Sequence, residues 1–197
     1  EANEAETLAH ADALGFQGKV LRDAGDRAGA ISLMERAVAL REEVTEAPDT
    51  TLAALLADIG WEVRAEGDYD RAGALFTRAM EIQRSQLGED APAVASSMLG
   101  LAATYHDLGS FDEAVALFRE ALASARAEAN PVAATALVNL GMVQRLREQY
   151  ADAEPTLRAG LQMREDLFDG EHILVIEARQ QFAVTLAALG RYAEAER

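Results

Sequence analysis

Four basic or titratable residues recur in this sequence at nearly constant intervals. Arg22, Arg64, His106 and Arg145 are separated by 42, 42 and 39 residues. Guanidinium groups and a protonated imidazole donate charge-assisted hydrogen bonds to carboxylates. If the backbone repeats at the same interval, these side chains form a ladder along one edge of a surface. Such an edge is suited to binding an acidic segment of a protein or peptide.

Apolar residues recur in the same register, three and seven positions before each member of this basic ladder. In the middle of the chain these positions hold Ala57, Trp61, Leu99, Ala103, Val138 and Met142. Residues spaced i, i+4 and i+7 share one face of a helix. The two sets together predict a groove with an apolar floor and a cationic edge. It would fit a peptide with an aromatic anchor flanked by carboxylates, and Asp58 and Asn139 are placed to hold the peptide backbone.

The same residues have structural interpretations that the sequence leaves open. An arginine in the last turn of a helix offsets the helix dipole and can pair with a neighbouring carboxylate. The carboxylates next to the ladder are Asp23, Glu66 and Asp107. The apolar side chains, Trp61 included, have a second role in packing between helices. Local hydrogen bonds could also satisfy Asp58 and Asn139.

Catalytic chemistry has little support in the sequence. His10, His106 and His172 are isolated, with no i, i+4 partner for a metal and no HExxH motif. There is no cysteine, which excludes disulfides and thiolate metal sites. The serines lack the context of a nucleophile elbow, and the glycines form no phosphate-binding loop. We therefore expect no enzymatic activity, no cofactor and no metal.

Helical hairpins must position the ladder, because turn signals recur at the same interval. The turn positions hold Gly25, Gly67, Gly109, Glu148 and Gly190. A period of about 42 residues with two helices per period is typical of a solenoid. The predicted repeats, within one array over residues 1–197, cover 7–48, 49–90, 91–131, 132–170 and a truncated 171–197.

Small residues are predicted where the two helices of each hairpin cross. Glycine or alanine stands seven positions before each turn, and alanine stands five positions after it. Small side chains let helix axes approach to roughly 8–10 Å. Asp26, Asp49 and Asn130 are expected to cap helices, and Pro131 to take a first helical position.

The fourth repeat departs most from this pattern. Glu148 replaces the turn glycine, and Gln144 stands where a core apolar residue is expected. Pro155 must lie in the first turns of its helix or kink it. In the first repeat, Arg27 replaces the aromatic residue that usually follows the turn.

The composition limits the range of partners. The formal net charge is −16, from 34 acidic and 18 basic residues, which would repel a nucleic-acid backbone. No apolar run approaches the roughly 18 residues of a membrane span, and no signal-peptide pattern is present. We expect a cytoplasmic protein. The first residue is Glu1 and the sequence stops early in a new helix, so we also expect it to be part of a longer chain.

The pattern resembles the tetratricopeptide repeat, in its longer 42-residue form found in kinesin light chains and bacterial signalling proteins. The resemblance rests on the segment LVNLGMVQRLREQYADAEPTL (137–157) and on the inter-repeat segments SQLGEDAPAV and DLFDGEHILV. It implies an all-α, right-handed superhelix of helix–turn–helix repeats. It also implies peptide binding on the concave surface formed by the first helix of each repeat. The carboxylate-clamp subtype is not expected, because the positions that carry its Lys and Asn are mostly apolar here.

Three functional hypotheses follow. The first is a non-catalytic scaffold that binds a protein or peptide in the groove, with Arg22, Trp61 and Arg64 among the contacts. The second is a regulatory or sensor segment of a larger signalling kinase, ATPase or protease. The third is self-association, in which the open last repeat docks onto another copy.

Overall fold

The computed structural model describes residues 2–45, 47–124 and 130–196, without the side chain of Ala2. Within these ranges the chain contains helices and no strand, which confirms the all-α prediction. The helices are α1 (Ala2–Asp23), α2 (Arg27–Val44), α3 (Thr50–Ala65), α4 (Tyr69–Leu87), α5 (Pro92–Asp107), α6 (Phe111–Ser124), α7 (Pro131–Leu146), α8 (Tyr150–Leu167), α9 (Ile173–Ala188) and α10 (Tyr192–Ala195).

The helices belong to two compact units, residues 1–100 and 101–197, with the boundary inside α5. Within the first unit, α1 packs on α2, and α3 packs on α2 and α4. Within the second unit, α7 packs on α6 and α8, and α9 packs on α8 and α10. Within each unit these helices therefore contact their sequence neighbours, as stacked hairpins require. The single array over residues 1–197 stays a prediction.

All five predicted turns have the same backbone conformation. Gly25, Gly67, Gly109 and Gly190 have φ between 77° and 87°, and Glu148 has φ of 60°. At each turn the N–H of the following residue bonds to the carbonyl four residues before the turn, as from Asp68 to Val63 at 3.2 Å. This is the hydrogen bond of a Schellman motif, which ends a helix in a left-handed residue. The turn positions predicted from the sequence are confirmed.

The predicted caps are also confirmed. Asp26 accepts a hydrogen bond from the N–H of Gly29 at 3.0 Å, and Asp49 accepts one from Leu52 at 2.7 Å. Asn130 accepts one from Val132 at 2.8 Å, and Pro131 begins α7. Each cap satisfies an amide that the first turn of a helix leaves without an intrahelical partner.

Each unit has an apolar core that depends on small residues at the helix crossings. In the first unit, Leu52, Leu56 and Ile82 form a buried cluster with Ala53 and Ala79. In the second unit the buried cluster consists of Val138, Ala153, Leu157 and Ala178. A Cβ added at Gly141 would lie 2.5 Å from Cγ of Leu157, so glycine is required for α7 and α8 to cross this closely.

Candidate functional site

The candidate site is the face of the first helices that holds the positions three, six and ten before each turn. We call it the first-helix face. In the first unit it lies on α1, α3 and the part of α5 that holds Leu99, and in the second unit on the remainder of α5, with Ala103 and His106, and on α7 and α9. The short turns fix the register of these positions in every hairpin.

The first unit brings two cations of α1 onto one carboxylate of α3. Nζ of Lys19 lies 2.9 Å from Oδ2 of Asp58, and Nη1 of Arg22 lies 3.4 Å from Oδ1. Nε of Arg22 also pairs with Asp23 at 3.0 Å. Arg22 therefore has the carboxylate partner that the structural interpretation requires, and a second one from the next repeat. All four side chains remain partly exposed.

Trp61 lies one helical turn after Asp58 and is half-buried. Its indole makes an edge-to-face contact with the buried ring of Phe76, with centroids 5.1 Å apart and planes at 73°. The guanidinium of Arg64 lies 5.5 Å from the centroid of the indole, within the range of a cation–π interaction. Trp61 thus packs on the core and keeps part of its surface accessible.

In the second unit, Arg145 reaches from α7 to α9. Its Nη2 donates to Oε1 of Gln181 at 3.2 Å, while its Nε is buried without a hydrogen-bond partner among the described residues. His106 lies at the end of α5, where Nδ1 is 3.2 Å from Oδ1 of Asp107 and the ring tilts against Phe111. Nε2 of His106 is buried and has no hydrogen-bond partner in the described part of the chain.

The predicted groove floor lies largely inside the core. The side chains of Leu99, Ala103 and Val138 are only 5%, 6% and 2% exposed. Ala57 and Met142 are half-buried and pack against the core clusters of their units. These residues shape the surface from below and offer little area for a ligand. Asn139 is half-buried on α7.

The structure therefore brings together Lys19, Arg22, Asp58, Trp61 and Arg64 on neighbouring first helices of the first unit. In the second unit it places Asn139, Met142 and Arg145 on α7, and Gln181 on α9 within reach of Arg145. Whether His106 and these residues continue a ladder that begins at Arg22 stays a prediction.

One set of polar residues was missed by the sequence analysis, at the position sixteen residues after the turn. Arg41 is buried and pairs with Asp12 and, at 2.6 Å, with Asp49. Gln83 accepts a buried hydrogen bond from Ser97 at 2.7 Å. The sequence alone could have indicated these residues, because polar residues recur at a position that helical periodicity places on the buried face.

Arg164 occupies the same position in the fourth repeat. It is buried and donates to the carbonyl of Leu174 at 2.6 Å, with Glu177 at 3.8 Å. Burial lowers the pKa of this guanidinium, and the charge of Glu177 opposes the shift. Such an arginine has a structural role, because it joins the end of α8 to the start of α9.

The described residues hold neither a metal-binding cluster nor a membrane-spanning helix. They contain no group of three or more His, Cys, Asp and Glu side chains arranged to hold a metal ion. None of the described helices is both long and apolar enough to cross a membrane.

Comparisons with solved structures show the fold. The crystal structure of BtubC (BKLC) from P. vanneervenii has a TM-score of 0.78 and 19% sequence identity, covering 99% of this chain and 85% of that one. A putative kinesin light chain from Podosopora anserina with nearly identical TPR-like repeats (its Q17M variant) has a TM-score of 0.76 and 20% identity, covering 94% and 89%. The Rap conjugation gene regulator of the plasmid pLS20, solved in complex with the Phr* peptide, has a TM-score of 0.75 and 19% identity, covering 93% and 49%.

Sequence comparisons show the family. The search of curated proteins found no match. Profiles of the tetratricopeptide repeat match residues 7–49, 63–127 and 132–197. These segments span more than half of the chain and include every predicted turn. The chain belongs to the tetratricopeptide repeat family.

Proposed function

We propose that this protein is a non-catalytic scaffold that binds an extended, acidic segment of another polypeptide on its first-helix face. Membership of a repeat family built from stacked hairpins supports binding to a protein rather than catalysis. The Rap regulator of similar fold was solved with a peptide, which supports the same class of ligand.

The observation that carries the proposal is the cluster around Trp61 in the first unit. The accessible part of the indole is flanked by the guanidinium of Arg64, and Asp58 lies one turn away. An aromatic side chain of the ligand would pack against Trp61, gaining area and an edge-to-face contact. Arg22 and Lys19 then face the carboxylates of the ligand.

Asp58 has a specific part in this proposal. Its carboxylate already pairs with Lys19 and Arg22, in the place where a carboxylate of the ligand would bind. An acidic ligand must therefore compete with Asp58 for the two cations. This intramolecular pair lowers the affinity for weak acidic ligands and favours those that also supply the aromatic anchor.

The proposal extends to the second unit, where the same register holds His106, Asn139, Met142 and Arg145. Arg145 supplies a cation, and Asn139 can bond to the backbone of an extended ligand. Ala103 and Val138 fix the shape of this surface from beneath, as Ala57 and Leu99 do within the first unit.

The test uses the fluorescence of Trp61, the only tryptophan in the sequence. We expect an acidic peptide with one aromatic residue to shift its emission saturably, and a basic peptide of equal length to leave it unchanged. Arg22→Gln should weaken binding by about 1 kcal/mol, because one charge-assisted hydrogen bond is lost. Added salt should weaken binding as well.

Asp58→Asn is the most discriminating variant. It removes the competing carboxylate, so the acidic peptide should bind several-fold more tightly than to the unaltered protein. Asp70→Asn removes the same charge from an exposed position at the start of α4 and serves as the control. If both variants change the affinity equally, net charge governs binding and Asp58 does not occupy the ligand position. Binding of the basic peptide alone would overturn the proposal.

Self-association is a second candidate, favoured by an exposed apolar stripe on α1. Phe16 and Val20 are 70% and 51% exposed. In α3 the equivalent positions hold Asp58 and Glu62, which pair with residues of the preceding hairpin, Glu62 with Arg27 at 3.0 Å. These two positions of a first helix therefore contact the preceding hairpin where one is present.

The last hairpin of a second copy is the proposed occupant of this stripe. Beside this hairpin an open cavity of about 600 Å³ lies between α8, α9 and α10, lined by Leu161, Phe182 and Leu186. Size-exclusion chromatography over a range of concentrations should show larger species at high concentration, and Phe16→Glu should abolish them. A concentration-independent elution volume for the unaltered protein would exclude this candidate.

A further inference from the structure

The residues at which the fourth repeat differs from the repeat pattern lie around one cavity in the second unit. The cavity has a volume of about 610 Å³ and lies between α6, the end of α7 and the start of α8. Gln144, Gln149 and Pro155 line it, and Glu148 belongs to the turn that joins α7 to α8. The volume falls within the range of roughly 300–1,000 Å³ that is typical of small-molecule sites.

Gln144 supplies a buried polar atom that has no hydrogen-bond partner in the described part of the chain. Its Oε1 is buried and accepts no hydrogen bond from the described residues. The equivalent position holds Leu21, Val63 and Leu186 in three other repeats, so an apolar side chain would fit the packing of the hairpin here. A buried acceptor without a donor is unfavourable, because it has lost its hydrogen bonds to water. Gln144 is itself only half-buried and lines the cavity, so a turn of its terminal amide would bring Oε1 to an N–H donor there and remove this penalty.

The charged residues of the cavity are only partly paired. Arg147 pairs with Asp112 at 2.8 Å, at the mouth of the cavity. Arg119 on α6 and Asp152 on α8 also line it, and within residues 47–124 and 130–196 neither side chain makes an ion pair. The cavity is therefore lined by an anionic group on α8, a neutral acceptor near the end of α7 and a cationic group on α6.

The local backbone also departs from the other repeats. Glu148 takes the left-handed conformation that the other turns give to glycine. Gln149 stands at the N-cap of α8 without a side-chain hydrogen bond, as Arg191 does before α10, whereas Asp26 and Asp68 cap α2 and α4. Several local departures around one cavity are typical of a functional site, because each is unfavourable for the fold alone.

We propose that this cavity binds a small zwitterion of the arginine type, either the free amino acid or the C-terminal residue of a peptide. The guanidinium has five N–H donors and can serve Asp152 and Oε1 of Gln144 together. The carboxylate of the ligand pairs with Arg119. The net charge of −16 attracts the cationic group at long range. This site is separate from the first-helix face and does not depend on the function proposed there.

The test is isothermal titration of the full chain with L-arginine, with L-glutamate as the negative comparison. L-arginine should bind saturably and L-glutamate should not. Asp152→Asn and Arg119→Gln should each weaken binding at least tenfold, because each loses one charge-assisted contact. Arg36→Gln removes an exposed positive charge from α2 in the first unit and should leave the affinity unchanged.

Gln144→Leu separates a ligand site from a structural role of the amide. It should abolish binding of L-arginine and raise the melting temperature by about 2–4 °C, since the unsatisfied acceptor is replaced by the residue of the other repeats. A lower melting temperature, or unchanged binding, would show that the amide belongs to the fold and overturn the proposal. Saturable binding of L-arginine that none of the cavity variants weakens would overturn it too.

Two analogues distinguish the sources of the ligand. N-acetyl-L-arginine lacks the α-ammonium group and mimics the end of a peptide chain, whereas L-argininamide lacks the carboxylate. We expect L-argininamide to bind at least tenfold more weakly than L-arginine, through loss of the contact to Arg119. Equal binding of N-acetyl-L-arginine and L-arginine assigns the site to a peptide end, and loss of binding with the acetyl group assigns it to the free amino acid. Failure of both L-arginine and N-acetyl-L-arginine to bind would overturn the proposal.

Discussion

The crevice between neighbouring second helices is bridged in the first unit and open in the second. In the first unit, two ion pairs join α2 to α4. Arg71 pairs with Glu35, and Nη2 of Arg78 lies 2.5 Å from Oε1 of Glu42. These side chains are about half exposed, and together they bridge α2 and α4 at the surface.

The second unit has opposite charges at the same register but does not join them. Arg119 stands ten residues after its turn, as Glu35 does, and Asp152 stands four residues after its turn, as Arg71 does. Both line the cavity between α6 and α8. An aspartate is one methylene shorter than a glutamate, so this pair spans less distance than the pair of Arg71 and Glu35.

The backbone of the hairpins and the individual side chains determine different features of this protein. The turns before α4 and α8 have the same hydrogen bond, from Asp68 to Val63 at 3.2 Å and from Gln149 to Gln144 at 2.9 Å. The backbone of the turn is therefore kept even where glycine has been replaced. The outer surface between second helices is set by a few long side chains, and a cavity opens where they fail to meet.

The largest expected effect concerns the two turns themselves. A non-glycine residue in the left-handed region is strained by roughly 1–2 kcal/mol, part of which is offset by its smaller loss of chain entropy on folding. Glu148→Gly should therefore stabilise the protein by about 0.5–1 kcal/mol, and Gly67→Ala should destabilise it by about 1 kcal/mol. Chemical denaturation monitored by circular dichroism measures both changes.

The opposite signs are the informative part of this prediction. An added Cβ at Gly67 would have no neighbour within 4 Å, so a loss of stability would come from the backbone conformation alone. Two changes of the same sign would mean that the turns before α4 and α8 are not equivalent. In that case Glu148 stabilises its turn through its side chain.

The helices and turns could be predicted from the sequence because the residues that end and cap helices act locally. Gly25, Gly67 and Gly109 end helices through their own conformational freedom, and Asp26 and Asp49 cap helices through hydrogen bonds to the amide three residues later. Local signals of this kind do not depend on how neighbouring hairpins pack. Their recurrence at one interval then identifies the repeat.

The surface could be predicted only in part, because it depends on distances between hairpins. Helical periodicity places Leu99 and Val138 on the first-helix face, but the close packing of neighbouring helices buries them. Arg22 has an adjacent carboxylate in the sequence, yet it also pairs with Asp58, 36 residues away. Gln144 and Glu148 are visible as departures from the pattern, whereas their convergence on one cavity requires the structure.

The smallest expected effect comes from giving the second unit the charges of the first. The double variant Arg119→Glu with Asp152→Arg places glutamate and arginine where α2 and α4 carry Glu35 and Arg71. An exposed ion pair contributes roughly 0.2–1 kcal/mol, so the coupling between the two substitutions should be a few tenths of a kcal/mol. A double-mutant cycle by chemical denaturation measures this coupling, and Arg71→Gln with Glu35→Gln gives the matching cycle in the first unit.

The same double variant should have a large effect on binding despite its small effect on stability. The net charge of −16 is unchanged by the exchange, so long-range attraction of the ligand stays the same. Binding of L-arginine should nevertheless be lost, because the new pair bridges the crevice and reverses the groups that face the ligand. A coupling near zero in the second unit, beside a measurable coupling in the first, would show that the backbones of α6 and α8 hold the crevice open. The cavity would then arise from the backbone of the fourth repeat, with Pro155 rather than side-chain length as its cause.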